Sequence, residues 1–447
     1  MHNLAIALHK KGYVVTGSDD EINEPSKSRL ERLGLHPAEM GWFPEKLSKD
    51  IDAVILGMHA RLDNPELVRA QELGLKIYSY PEYIYEQTKD KIRIVIGGSH
   101  GKTTITAMIL HVLKSCGKDF DYLIGAQVEG FDTMVKLTES ATIAVFEGDE
   151  YLASPIDRRP KFLLYKPDVA LLSGIAWDHI NVFPKYDMYV EQFKKFIDCI
   201  EQSGSLIYCE GDEEVKRLVS KARADVRTYP YSVPEHEIEN GATYLLSGRT
   251  GARVGLLIYG EHNLMNLNGA RLVCKQVGIT DEQFYQAISS FKGAARRLEL
   301  IAKNDSFAFY KDFAHSPSKV KATIEAVKKQ FPNRKLIACL ELHTFSSLNE
   351  DFLKEYAGTM DAADEAIVYF NPHTIEHKKL KPITEEQVKR SFGRKSLKAV
   401  TDSKIITQFI SEQTWKNENL LMMSSGTFDG MDLKKMGEEL ISASLSC

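Results

Sequence analysis

Apolar positions along the first hundred residues switch between two spacings. Residues 4–11, 26–33 and 65–73 carry them at helical intervals, whereas residues 13–15, 53–56 and 76–78 are short apolar runs of strand type. Such alternation predicts a parallel α/β sheet. The polar stretch 85–91 interrupts the pattern and places a domain boundary there. A second α/β block starts with the β-rich run 92–96 and extends to about residue 291, closing with helical segments at 263–277 and after Thr280. A third block starts near Arg297 and predicts strands at 307–310, 336–339 and 366–369, with helices at 319–330 and 351–361.

The resulting expectation is an α/β chain of three domains, 1–88, 89–295 and 296–447. Its 447 residues, 43% of them hydrophobic, are enough for several cores. The first domain has an unusual beginning. In a nucleotide-binding βαβ unit a strand and a glycine-rich turn precede the first helix, but here that helix starts at once. The expectation is that the first strand and its loop are missing from this reading frame; the alternative is a sheet with one strand fewer.

Charge and composition remove several classes of function. A formal charge of -5 gives no overall basic field, so no nucleic-acid partner is expected. No apolar run approaches a bilayer span, and the beginning of the chain lacks the order of a signal peptide, so the expected location is cytoplasmic, without membrane insertion. Six cysteines without a CxxC pair fit reduced thiols rather than a thiolate metal site.

The sharpest chemical signal is GGSHGKTT at 97–104, placed between a predicted strand and a run of helix formers. Backbone N–H groups of Gly98, Ser99, His100, Gly101 and Thr104 suit an anion at a helix N-terminus, and Lys102 suits the β/γ-phosphates. The Thr103 hydroxyl suits a magnesium ion bridging phosphate oxygens. The spacing departs from GxxxxGK[ST], and a chance GKT in a turn is the bland alternative. Two further strand ends carry Glu147, Asp149 and Glu150, and then Asp178 and His179. Glu147 and His179 are the candidate magnesium ligands, with Asp149 and Asp178 as supporting groups. Taken singly, each has an ordinary reading as a solvated turn residue or a hydrogen-bonded histidine.

These stretches occur in order with FEGDEY, GEHNLMNLNGA at 260–270, FKGAARRLE at 291–299 and DFAHSP at 312–317. In this the chain resembles the Mur ligases, ATP-dependent amide-bond-forming enzymes of peptidoglycan assembly. The resemblance implies a Rossmann-like N-terminal domain for the UDP-sugar, a P-loop central ATPase domain and a Rossmann-like C-terminal domain that closes over ATP. It implies ATP and Mg2+ as cofactors, with Lys102, Glu147 and His179 at the catalytic centre. His262, Asn263 and Asn266 would meet the nucleotide, Arg297 its phosphates, and Asp312 and His315 its ribose and phosphate side. Ser18, Asp19, His59 and Asn64 match the region that holds the UDP group. Ser316 stands where the family commonly has a second histidine.

Branches starting from UDP-N-acetylmuramate carry an N-terminal segment like that at 17–35. Two of them remain: one adds L-alanine, the other a recycled L-alanyl-γ-D-glutamyl-meso-diaminopimelate peptide. Residues 149–172 and 424–431 resemble the peptide-adding branch, which is the preferred expectation. Arg158, Arg159 and Lys161 form a cationic strip suited to an anionic substrate, or simply a solvated surface. Two other classes stay open at this point: a P-loop NTPase without ligase activity, and a silent nucleotide or peptide sensor.

Overall fold

The computed structural model describes residues 1–179, 182–246, 253–293 and 297–445. Its contacts divide into two compact units, one of residues 1–175, 187–232 and 269–287, the other of residues 176–186, 233–268 and 288–447.

The first unit holds two sheets. Strands β1 (Val54–Leu56) and β2 (Ile77–Ser79) pair in parallel. They are flanked by the helices His2–Lys10, Ser26–Glu31, Pro65–Glu72 and Tyr80–Thr88. The larger sheet contains β3 (Ile92–Gly97), β4 (Asp121–Leu123), β5 (Val135–Lys136), β6 (Ile143–Glu147), β7 (Val169–Leu172), β8 (Ser205–Cys209) and β9 (Arg227–Tyr231), in the order β5-β4-β6-β3-β7-β8-β9. All its pairings except β4 with β5 are parallel. Both faces of its centre are covered, so β7 is buried at every position, as parallel strands require.

The second unit contains an antiparallel sheet of β10 (His236–Glu239), β11 (Ala242–Leu246) and β12 (Arg253–Leu256). Its six-stranded sheet joins β13 (Glu299–Lys303), β14 (Phe307–Asp312), β15 (Lys335–Leu342), β16 (Glu365–Phe370), β17 (Lys398–Val400) and β18 (Glu418–Met423), ordered β13-β14-β18-β15-β16-β17. Alternate strand residues feed two apolar cores, one around Val320, Ile324 and Tyr356, the other around Trp415, Ile406 and Phe428.

Two predicted elements are corrected. Residues 13–15 form no strand, and Val14 is 98% exposed. Their apolar run pairs with no strand; the Tyr13 N–H instead turns back to Leu8 O of the preceding helix at 3.0 Å, and a strand without a ladder is not held. The helix expected at 351–361 is a short turn, Glu350–Leu353, followed by the 3-10 turn Lys354–Tyr356. Ala357 is extended and Gly358 has φ +71°, a left-handed conformation that ends helices.

Candidate functional site

The loop at 98–101 leaves β3 at the middle of the seven-stranded sheet and enters the 14-residue helix Lys102–Ser115. Parallel neighbours β6 and β7 stand on either side, with Ile96 opposite Glu147 and Gly97 opposite Leu172. Their carboxyl ends therefore open on one edge, the place where α/β sheets receive ligands. Gly101 caps the helix in a left-handed conformation, φ +76°. Gly98 has φ +124°, and a Cβ there would lie 2.2 Å from Ser173 Oγ. Only glycine fits between this loop and the end of β7. The Ser99 N–H donates to Gly174 O at 2.9 Å, and Ser173 Oγ donates to His100 O, so the loop is laced to residues 173–174.

Lys102 Nζ donates to Gly98 O at 2.6 Å and to Glu150 Oε2 at 2.6 Å. Burial alone would depress this ammonium; Glu150 above all, with Asp149 and Glu147, outweighs burial and holds it above its ordinary value. Thr103 Oγ1 donates to Glu147 Oε1 at 2.7 Å, and Glu147 Oε2 accepts the Gly125 N–H at 2.7 Å. A hydroxyl and a carboxylate oxygen side by side are hard donors of the kind magnesium takes, so these two residues fit that ion. Thr104 is buried one position further along the helix.

Glu150 was not singled out from the sequence, where three neighbouring carboxylates look alike. The structure separates them. Glu147 meets Thr103, Asp149 Oδ2 pairs with Lys161 Nζ at 2.7 Å, and Glu150, 1% exposed, meets Lys102. Arg159 is tied to Asp157 and Glu82 at 2.6 and 3.0 Å. Arg159 and Lys161 thus satisfy neighbouring carboxylates, while Arg158 is exposed.

The UDP-group candidates also belong to the first unit. Ser18 Oγ donates to Glu66 Oε1 at 2.7 Å; Asp19 and His59 are exposed. Asn64 caps the helix Pro65–Glu72, its side-chain oxygen accepting the N–H groups of Glu66 and Leu67. Asparagine followed by proline is a pair that starts helices, so Asn64 has a structural duty here.

The remaining candidates lie in the second unit. His262 and Asn266 stand four residues apart on the helix Glu261–Gln276, sharing a face. Burial holds the His262 imidazole down to about 4. Asn263 turns its amide to Tyr259 O at 2.9 Å. The Arg297 guanidinium lies 4.9 Å from the centroid of the Phe313 ring. Asp312 is buried, its oxygens accepting the Leu298 N–H at 2.5 Å and the Ala314 N–H at 2.6 Å. Burial pushes its carboxyl up, against the pull of Arg297. His315 Nδ1 lies 2.7 Å from Phe313 O, and burial, then the charge of Lys319, takes this imidazole down to about 4. Burial pushes Asp178 up, but the facing His179, Lys319 and His315 outweigh it and hold it below the usual carboxylate range. Ser316 is the N-cap of the helix Pro317–Gln330 and makes no side-chain cap hydrogen bond.

The structure therefore gathers residues 98–104 with Glu147 in one unit, and His179, His262, Asn263, Asn266, Arg297, Asp312 and His315 in the other. Among the described residues no group of three or more histidine, cysteine, aspartate or glutamate side chains forms a ready-made metal cluster.

Family models match the chain in three consecutive segments: the Mur ligase family catalytic domain at residues 1–91, the Mur ligase middle domain at 96–274 and the Mur ligase glutamate ligase domain at 296–426. The chain belongs to the Mur ligase family, a family of ATP-dependent amide ligases, and has its three-domain α/β architecture. Among individual relatives, it is 32% identical over 380 residues to the UDP-N-acetylmuramate--L-alanine ligase of Limosilactobacillus reuteri, covering 82% of each chain. It is similar in fold to the UDP-N-acetylmuramate-alanine ligase of Thermotoga maritima, with TM-score 0.70 and 21% identity over 99% of this chain and 96% of that one. It is likewise similar to the murein peptide ligase of Psychrobacter arcticus, with TM-score 0.64 and 24% identity over 99% and 96%. Family membership sets aside the NTPase without ligase activity.

Proposed function

We propose that this ligase joins the carboxylate of UDP-N-acetylmuramate to the amine of L-alanyl-γ-D-glutamyl-meso-diaminopimelate, in the cytoplasm, as a step of peptidoglycan recycling. The observation that carries the choice of amine is the likeness of residues 149–172 and 424–431 to the peptide-adding branch. The second reading is L-alanine as the amine, favoured by the name of the Limosilactobacillus relative. The domain bounds belonging to this reading are 1–88, 89–295 and 296–447.

The reaction is a two-step condensation. The substrate carboxylate attacks the γ-phosphorus of ATP, ADP leaves, and an acyl phosphate forms. The amine then attacks the acyl carbon and phosphate is expelled as the amide forms. No covalent enzyme nucleophile is required, so the protein's work is positioning and charge stabilisation. The loop's N–H groups within residues 98–104, apart from that of Ser99, which is given to Gly174 O, receive the phosphates together with the Lys102 ammonium. Thr103 and Glu147 would hold magnesium, joined in this reading by His179; the ion would supply positive charge to the phosphate oxygens. His262, Asn263 and Asn266 serve the nucleotide, Arg297 its phosphates, and Asp312 and His315 its ribose side. Of the UDP-group residues, Ser18, Asp19 and His59 are side-chain candidates, and Asn64 acts through the helix it caps.

The test is phosphate release with ATP, magnesium and UDP-N-acetylmuramate, run with L-alanine and with the tripeptide, the product being weighed by mass spectrometry. Turnover with the tripeptide alone is expected. Preference for L-alanine would move the protein to the biosynthetic step.

A further inference from the structure

The carboxylate of Glu150 lies at the centre of a hydrogen-bond circuit that starts and ends on the phosphate loop. Its Oε2 accepts from Lys102 Nζ at 2.6 Å, and its Oε1 accepts from Tyr189 OH at 2.9 Å. Tyr189 OH in turn lies 2.8 Å from Ser99 Oγ. An ionised carboxylate can only accept, so the single phenolic proton goes to Glu150 and Ser99 donates to Tyr189. Lys102 closes the ring by donating to Gly98 O at 2.6 Å. Gly98 and Ser99 are neighbours, so the side chains tie two adjacent loop residues to one carboxylate. Glu150, Tyr189 and Ser99 are 1%, 0% and 4% exposed, and this burial strengthens each link.

We propose that Glu150 is a positioning residue for nucleotide binding, acting through Lys102. An ammonium has three protons. Two of them are committed, one to Gly98 O and one to Glu150, so the tetrahedral ammonium has the direction of its third proton fixed as well. The carboxylate also offsets the burial of the Lys102 charge, so the cation stays in place before phosphates arrive. Tyr189, from the helix Tyr186–Asp198, holds the carboxylate in turn. The inference rests on the ATP-dependent reading of this loop but not on the identity of the amine.

The experiment is a double-mutant cycle on ATP affinity with the full chain, using a fluorescent ATP analogue and magnesium at protein concentrations high enough for weak binding. Glu150→Gln keeps the shape and removes the charge. It is expected to weaken binding about fivefold to tenfold when Lys102 is present, and less than about twofold in the Lys102→Ala background, because coupled residues are non-additive. Tyr189→Phe removes one hydroxyl and is expected to weaken binding about twofold to threefold with Lys102 in place and by less in the Lys102→Ala background, where only its link to Ser99 still counts. It keeps the cycle decisive if Glu150→Gln does not fold. Unchanged or tighter binding, or equal losses in both backgrounds, would overturn the proposal, since a purely structural carboxylate would act without regard to Lys102. Absence of nucleotide binding by the unmutated protein would overturn it together with the ligase reading. ATP binding with the expected coupling, but no product with either amine, would sink the ligase reading alone.

Discussion

Lys102 and Gly98 carry the residue-scale predictions. Lys102→Ala removes the cation proposed to meet the phosphates while leaving a helix former at the start of its helix. Phosphate release is expected to be lost, by a factor of about 100 or more, with far-UV circular dichroism unchanged. Normal turnover by that variant would end the assignment of the loop. Gly98→Ala adds a methyl group that meets Ser173 Oγ at 2.2 Å, at a φ of +124° that side chains rarely adopt. Strain of about 1–3 kcal/mol is expected to displace the loop and weaken ATP binding about tenfold, read by nucleotide titration. The loop was legible because strand, glycines, lysine and helix are consecutive. Glu150 was not, because its contact with Lys102 joins residues 48 apart and nothing local distinguishes it from Glu147 or Asp149.

Among the elements, the helix Pro65–Glu72 tests whether a candidate substrate residue is a cap. Asn64→Ala removes the acceptor for two N–H groups and is expected to cost about 1 kcal/mol in urea unfolding, whereas Asn64→Ser keeps most of the cap. Should both variants unfold like the unmutated protein, the capping role would be lost. If Asn64→Ser is stable but loses UDP-sugar affinity, direct substrate contact gains support. Continuous apolar runs were read correctly as strands, β14 at residues 307–310 and β16 around 366–369 among them. The errors came where spacing is silent about neighbours. Residues 13–15 have strand composition but no partner strand, and residues 351–361 have helical spacing interrupted by Gly358, a break visible in the sequence once weighed as a stop.

Acid stability belongs to the whole molecule. Burial, in two cases joined by nearby cations, holds His2, His262 and His315 at about 4, down from 6.5. The unfolded chain therefore takes up protons in this window that the folded chain refuses. Stability from these groups is fully present above the unfolded value and is lost as pH falls through the window toward the folded value. The urea midpoint should accordingly drop between about pH 7 and pH 4.5, and His2→Gln should make that drop shallower. Parallel slopes for the two proteins would show that His2 takes no part. Lys11 and Arg93 are structural by contrast: Lys11 Nζ pairs with Glu139 at 2.8 Å, and Arg93 is buried against Asp168 and Glu201 at 3.2 and 3.3 Å.

The sequence by itself determined the α/β class, the strand, glycine loop and helix around Lys102, and the family, because each is written in consecutive residues or in motifs that keep their order. Tertiary structure alone decided which carboxylate meets Lys102 and which lysine and arginine are already paired. It also decided that Asp312 spends an oxygen on the Leu298 N–H. The physical reason is common to all three. Hydrogen bonds and ion pairs act over about 3 Å in space, whereas sequence spacing constrains geometry only within one helix turn or along one strand.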